Sequence, residues 1–178
     1  MQDARQIDLA ARIRAIPDFP KPGILFRDIM PLLQDPQTLH AAVDRMAEWS
    51  IDRHVDVVLG AESRGFILGS ALAYVLNAGF VCARKPGKLP YTTVSESYDL
   101  EYGSDALEIH ADAIAPGMNV LVHDDLLATG GTAAAKCKLV EKLGGKVVGV
   151  AFLVALSDEF PNARERLAAY DVLSLITF

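Results

Sequence analysis

The stretch Val122-His-Asp-Asp-Leu-Leu-Ala-Thr-Gly-Gly-Thr132 places two adjacent carboxylates between an apolar run and a loop of small residues. Neighbouring aspartates at the end of a buried strand repel each other and lose hydration, so the pair needs a compensating task. The residues that follow point to one. Ala128, Thr129, Gly130, Gly131 and Thr132 offer backbone N–H groups and two hydroxyls where a helix opens, and partial positive charge there favours a phosphate. Asp124 and Asp125 then face what that phosphate carries, and the vicinal hydroxyls of a ribose are donors that a carboxylate pair accepts. The string lacks the lysine of a GxxxxGK[ST] loop and the G-x-G-x-x-G dinucleotide fingerprint, so a ribose 5-phosphate is the better fit. The plainer alternative is a glycine-rich turn with a capping threonine and an exposed acidic pair.

Helices and strands must hold these residues in place. Ile7, Ala10, Ile13 and Ile16 fall on one helical face, and Pro17, Pro20, Pro22 and Gly23 stop that helix. Leu39, Val43 and Met46 mark a second amphipathic helix. Strands are predicted at 55–59, 80–83, 120–122, 147–156 and 172–176, and helices at 66–76, 130–143 and 163–170. Residues 84–103, rich in Lys, Pro, Gly, Ser and Tyr, read as a mobile loop. Near-continuous Val/Leu/Ile runs separated by helices predict an α/β fold with a mostly parallel central sheet covered on both faces. In such sheets ligands sit at the carboxyl ends of strands, where the 60–65 and 124–132 turns both lie.

Composition narrows the partners. A chain of 178 residues, 51% hydrophobic, suffices for one well-cored domain spanning 1–178. A net charge of -6 argues against a phosphate-tracking nucleic-acid binder or an anionic membrane surface, and favours small partners. Cys82 and Cys137 lack CxxC or Cys/His spacing, so buried thiols are expected rather than a disulfide or zinc site. The longest apolar run, 147–156, is too short to cross a bilayer, and no signal-like segment opens the chain, so a soluble cytoplasmic protein is expected.

Residues 120–132 resemble the phosphoribosyl-pyrophosphate motif of the type I phosphoribosyltransferases. Asp18-Phe-Pro-Lys-Pro-Gly-Ile-Leu-Phe-Arg-Asp28, Arg84-Lys-Pro-Gly-Lys-Leu-Pro90, Ser97-Tyr-Asp-Leu-Glu-Tyr-Gly103 and Leu107-Glu-Ile-His110 narrow the likeness to the adenine-specific branch, in the family's order over nearly the whole chain. His123 stands where an aliphatic residue is commoner, Met30 where a small hydroxyl residue is usual, and the sequence stops early at Phe178. The resemblance implies the type I fold with a small N-terminal hood at about 1–35 and a flexible lid at about 84–103. It implies a glycosyltransferase converting adenine and phosphoribosyl pyrophosphate to AMP and pyrophosphate, acting as a homodimer with Mg²⁺ held mainly by pyrophosphate and ribose oxygens.

The same resemblance distributes the work. Glu62, Ser63 and Arg64 lie in the pyrophosphate loop, with a non-proline cis peptide between Glu62 and Ser63. The Leu25 carbonyl and Arg27 amide read the adenine edge, and Phe26 and Leu126 sandwich the ring. Arg84, Lys85 and Lys88 supply cations, Lys85 or Lys88 across a dimer interface. Glu101 transfers the proton at N7, with Tyr102 beside it. Asp124 and Asp125 orient the sugar, any link to the metal running through water. Without the resemblance, the plainer readings are a surface arginine for Arg64, a core residue for Phe26 and a solvated loop for 84–103. Two other functions remain open: transfer to a different purine base, which needs a donor for a 6-oxo group where residue 126 and its neighbours are aliphatic, and a non-catalytic sensor of phosphoribosyl pyrophosphate, for which no basic surface is evident.

Overall fold

Five parallel strands organise the larger part of this computed structural model, which describes residues 7–99 and 104–178. The chain divides into two units, Met1–Arg45 and Met46–Phe178. In the first, β1 (Arg14–Pro17) and β2 (Leu25–Asp28) form an antiparallel hairpin, followed by the short helix α1 (Met30–Gln34). Helix α2 (Pro36–Ser50) contains the division. The helix predicted at 7–16 is not formed: a 3-10 turn at Ala10–Arg12 leads directly into β1. Ten residues are marginal as a helix on their own, and pairing with residues 25–28 supplies the backbone bonds instead. The connection is closed by Asp18 at φ 57, whose carboxylate accepts from the Gly23 amide at 2.8 Å.

In the second unit β3 (Val57–Ala61), helix α3 (Gly65–Val75) and β4 (Gly79–Ala83) come first. The strands β5 (Thr93–Asp99) and β6 (Ser104–His110) pair antiparallel as a separate arm. Then follow β7 (Asn119–Leu127), helix α4 (Gly131–Lys142), β8 (Lys146–Ala155) and β9 (Val172–Thr177). The sheet order is β4-β3-β7-β8-β9, parallel throughout. Its central strands are apolar on successive residues, and Val58, Leu59, Val120 to Val122 and Val150 to Val154 are essentially inaccessible, as a sheet covered on both faces requires.

Three sequence expectations need correction here. Residues 93–99 of the expected mobile loop form β5, whose partner lies beyond the loop and is invisible to a local reading. The strand expected at 120–122 continues through Leu127, so both aspartates belong to β7 itself. The helix expected at 163–170 is a 3-10 segment, Ala163–Leu167. The arm is fastened to α4 by Lys142, which donates to the Ser95 carbonyl at 2.7 Å and pairs with Glu96 at 2.5 Å, and by Lys138 at 3.2 Å from Glu96. Among the described residues no helix is long and apolar enough to cross a membrane.

Candidate functional site

Strands β3 and β7 are neighbours, so their carboxyl ends bring the 62–64 turn and the 124–132 segment together. They wall a cavity of about 280 Å³. Of the residues singled out from sequence, Glu62, Ser63, Arg64, Lys85, Asp124, Asp125, Leu126, Ala128, Thr129, Gly130 and Thr132 line it. Arg84, Lys88 and Gly131 do not. Leu25, Phe26 and Arg27 lie on β2 of the smaller unit, where Phe26 packs edge-on against Phe19 at 5.1 Å. Glu101 and Tyr102 fall outside the described residues. The Glu62–Ser63 peptide is cis.

Successive strand residues project to opposite sides, which gives the two carboxylates different partners. Asp124 Oδ2 accepts from the Lys136 ammonium at 2.8 Å, and its Oδ1 accepts from the Asp125 amide at 3.0 Å. Asp125 Oδ2 forms an ion pair with Arg64 Nε at 2.7 Å. Burial, and then the charge of Asp124, push the Asp125 carboxyl above its ordinary range, against the opposing pull of Arg64 and Lys136. Gly65 makes the approach possible, since a Cβ there would stand 2.7 Å from Asp124 Oδ1.

Beyond the aspartates, Gly130 adopts φ 81 and turns the chain into α4, whose first-turn residues Thr132 and Ala133 line the cavity. The opposite wall carries charge pairs. Arg84 donates to Glu62 Oε2 from Nε at 3.0 Å and from Nη2 at 2.8 Å. The Lys85 amide donates to Glu62 Oε1 at 2.7 Å, and this bond, followed by Arg84, holds Glu62 below the usual carboxylate range. The Lys85 ammonium meets Asp105 at 2.5 Å. Among the described residues no group of three His, Cys, Asp or Glu side chains could hold a metal ion.

Sequence reasoning missed Tyr98, Asp105 and Lys136. Tyr98 lines the cavity from β5, with its hydroxyl 3.4 Å from Asp105. Nothing local marks it. Lys136 carries a signal that could have been read: Ala133, Lys136, Cys137 and Val140 recur at helical spacing on one buried face.

His123, beside the pair, is fully buried, and its Nδ1 lies 3.0 Å from the Ala151 carbonyl, which makes that nitrogen the protonated one. Burial drives its pKa from 6.5 down to about 4. The unfolded chain therefore takes up this proton first as pH falls. The stability held by the neutral ring is complete above about pH 6.5 and shrinks down to about pH 4, by up to about 3 kcal/mol. His123→Asn, which keeps a donor for the Ala151 carbonyl, is expected to flatten that acid-side loss in urea unfolding followed across this range. An unchanged pH slope would rule out His123 as its source.

Comparison with known proteins places this site among related ones. Residues 33–176 match the family described as Phosphoribosyl transferase domain. The adenine phosphoribosyltransferase of Rubrobacter xylanophilus is 59% identical over 168 residues, covering 94% of this chain and 90% of that protein. The crystal structure of the enzyme of that name from Thermoanaerobacter pseudethanolicus superposes with a TM-score of 0.92 at 47% identity, covering 99% of this chain and 100% of the other. The Saccharomyces cerevisiae adenine phosphoribosyltransferase, solved with an imino-altritol bisphosphate and adenine, has a TM-score of 0.88 at 37% identity, with 97% of each chain covered.

Proposed function

Because the chain belongs to the adenine phosphoribosyltransferase family, purine-salvage pentosyltransferases that form AMP and pyrophosphate from adenine and phosphoribosyl pyrophosphate, we propose a specific use for each wall of its cavity. The observation that carries the reading is the meeting of the Asp124–Asp125 pair, the Ala128 to Thr132 loop and Arg64 in one cavity. The amides and hydroxyls from Thr129 to Thr132 hold the 5-phosphate. Asp124 and Asp125 accept hydrogen bonds from the ribose hydroxyls. Arg64, the backbone near Ser63, and Lys85 and Lys88 hold the pyrophosphate, whose negative charge grows as the bond to C1 breaks.

Adenine recognition belongs to β2. A strand sends the carbonyl of one residue and the amide of the second residue onward to the same edge, so the Leu25 carbonyl and Arg27 amide match the exocyclic amine and N1 of adenine. Phe26 supplies stacking surface for the ring. N9 attacks C1 as pyrophosphate departs. The donor set fits a hard cation carried in by substrate oxygens, and Mg²⁺ so bound would neutralise the pyrophosphate.

A homodimer is supported by Ile67, Tyr74 and Val75, which are 43%, 88% and 50% exposed on α3. A cytoplasmic location accords with phosphorylated substrates. The decisive assay offers adenine, guanine, hypoxanthine and xanthine with labelled phosphoribosyl pyrophosphate and identifies the nucleotide formed. AMP alone is the expected product; another nucleotide, or none, would overturn the reading.

Glu101 takes the N7 proton in this scheme. Glu101→Gln keeps hydrogen bonding without proton exchange, and Glu101→Ala removes both, so each is expected to slow single-turnover chemistry by about 10² or more. A nearly normal Gln variant would reduce Glu101 to a hydrogen-bonding group, and two normal variants would remove it from the mechanism.

A further inference from the structure

Lys136 has no task in this scheme, yet it is the largest fully buried side chain that carries a charge. An ammonium taken out of water costs several kcal/mol unless its partners are well placed. Its Nζ donates to Asp124 Oδ2 at 2.8 Å and to the His123 carbonyl at 2.6 Å, both on β7 where the strand enters the cavity. Arg64, beside the start of α3, faces Asp125; His123 is a neutral ring; Cys137 on α4 is a thiol pushed up to about 12 by burial. Two carboxylates thus share two cations. Arg64 borders the open cavity, whereas Lys136 has no exposed surface.

We propose that Lys136 is a positioning residue for ribose binding: it fixes the Asp124 carboxylate and places its ammonium behind the Asp124–Asp125 pair. Both carboxylates can then accept from the sugar hydroxyls while Arg64 attends to the pyrophosphate. The inference rests on the reading of the pair as the ribose site. Lys136 also opposes the upward pull on the Asp125 carboxyl, behind burial, Asp124 and Arg64 in weight, so loss of its charge raises the pH at which the pair stops being a double acceptor.

Lys136→Gln keeps a hydrogen-bonding side chain without charge, and Lys136→Arg keeps the charge. Binding of phosphoribosyl pyrophosphate is measured by calorimetry between about pH 6 and 9, with pyrophosphate alone as the ribose-free probe. For Lys136→Gln the acid-side loss of affinity is expected to begin about one pH unit higher than in the parent, a deficit of about tenfold near pH 6.5 that narrows towards pH 9. Lys136→Arg should keep the parental profile. Pyrophosphate binding should be unchanged in both, and the ligand's own phosphates titrate alike against every variant.

Equal weakening at all pH values, or the same acid shift in the Arg variant, would overturn the proposal. Asp124→Asn with Lys136 intact separates the two ideas. If it binds phosphoribosyl pyrophosphate like the parent, the ribose reading itself falls; if it weakens while Lys136→Gln stays parental, only the role of Lys136 falls. Should neither lysine variant fold, the parent decides by ¹⁵N NMR of the Lys136 ammonium, which must respond to phosphoribosyl pyrophosphate and not to pyrophosphate alone. No response to the sugar-bearing ligand overturns the assignment.

Discussion

The double substitution Asp124→Asn, Asp125→Asn is expected to weaken phosphoribosyl pyrophosphate binding by about 30- to 200-fold. Each carboxylate offers a sugar hydroxyl a charge-assisted hydrogen bond worth about 1.5–3 kcal/mol, against about 0.5–1.5 kcal/mol for a neutral oxygen, and two such differences give that range. Asparagine retains an oxygen at nearly the same place, so the loss measures charge rather than shape. Lys136 and Arg64 would keep an acceptor each, and the strand that carries both positions is buried on β7 between β3 and β8, so the fold should persist. Pyrophosphate has no sugar and should bind as to the parent. Calorimetry with both ligands tests the point: unchanged affinity for phosphoribosyl pyrophosphate, with unchanged turnover, would remove the pair from ribose recognition.

The parts of this site legible in the sequence are those whose chemistry is continuous along the chain. The β7–loop–α4 passage reads directly because apolar run, acidic pair, small-residue loop and helix start follow one another from Asn119 to Lys142. The parallel sheet reads for the same reason, each strand being a nearly unbroken apolar run. What escaped depends on pairing across distance. Arg14 to Ile16 looks helical until residues 25–28 are laid beside it, and Thr93–Asp99 looks like loop until Ser104–His110 supplies its ladder. Charge is the hardest to place. Lys136 and Lys138 are two residues apart on one helix, yet the first is buried against Asp124 and the second reaches Glu96 from the surface. The lysines at 85 and 88 separate similarly, since only the first lines the cavity, where Asp105 holds it. Composition cannot distinguish such neighbours: the helical spacing of Ala133, Cys137 and Val140 marks Lys136, whereas Lys85 is told from Lys88 only by the fold.

Gly130→Ala is expected to abolish useful AMP binding while leaving most of the protein folded. Gly130 holds φ 81, a region that costs an L-residue about 1–2 kcal/mol, and a Cβ built there would stand 2.6 Å from the Ala163 carbonyl oxygen. Backbone cannot swing aside as a flexible side chain can, so Thr129 to Gly131 must move by most of an ångström. The amides that open α4 move with them, and hydrogen bonds to a phosphate weaken steeply with lost alignment. Losing two such bonds amounts to about 10² to 10⁴ in AMP affinity. Gly117 provides the matched control. It has φ 87 with nothing within 4 Å of a built Cβ, so Gly117→Ala carries the same backbone penalty without the collision and lies outside the cavity lining. Its melting temperature should fall modestly and its AMP affinity should equal the parent's. If Gly130→Ala binds AMP as Gly117→Ala does, the loop from Thr129 to Thr132 is not the phosphate cradle.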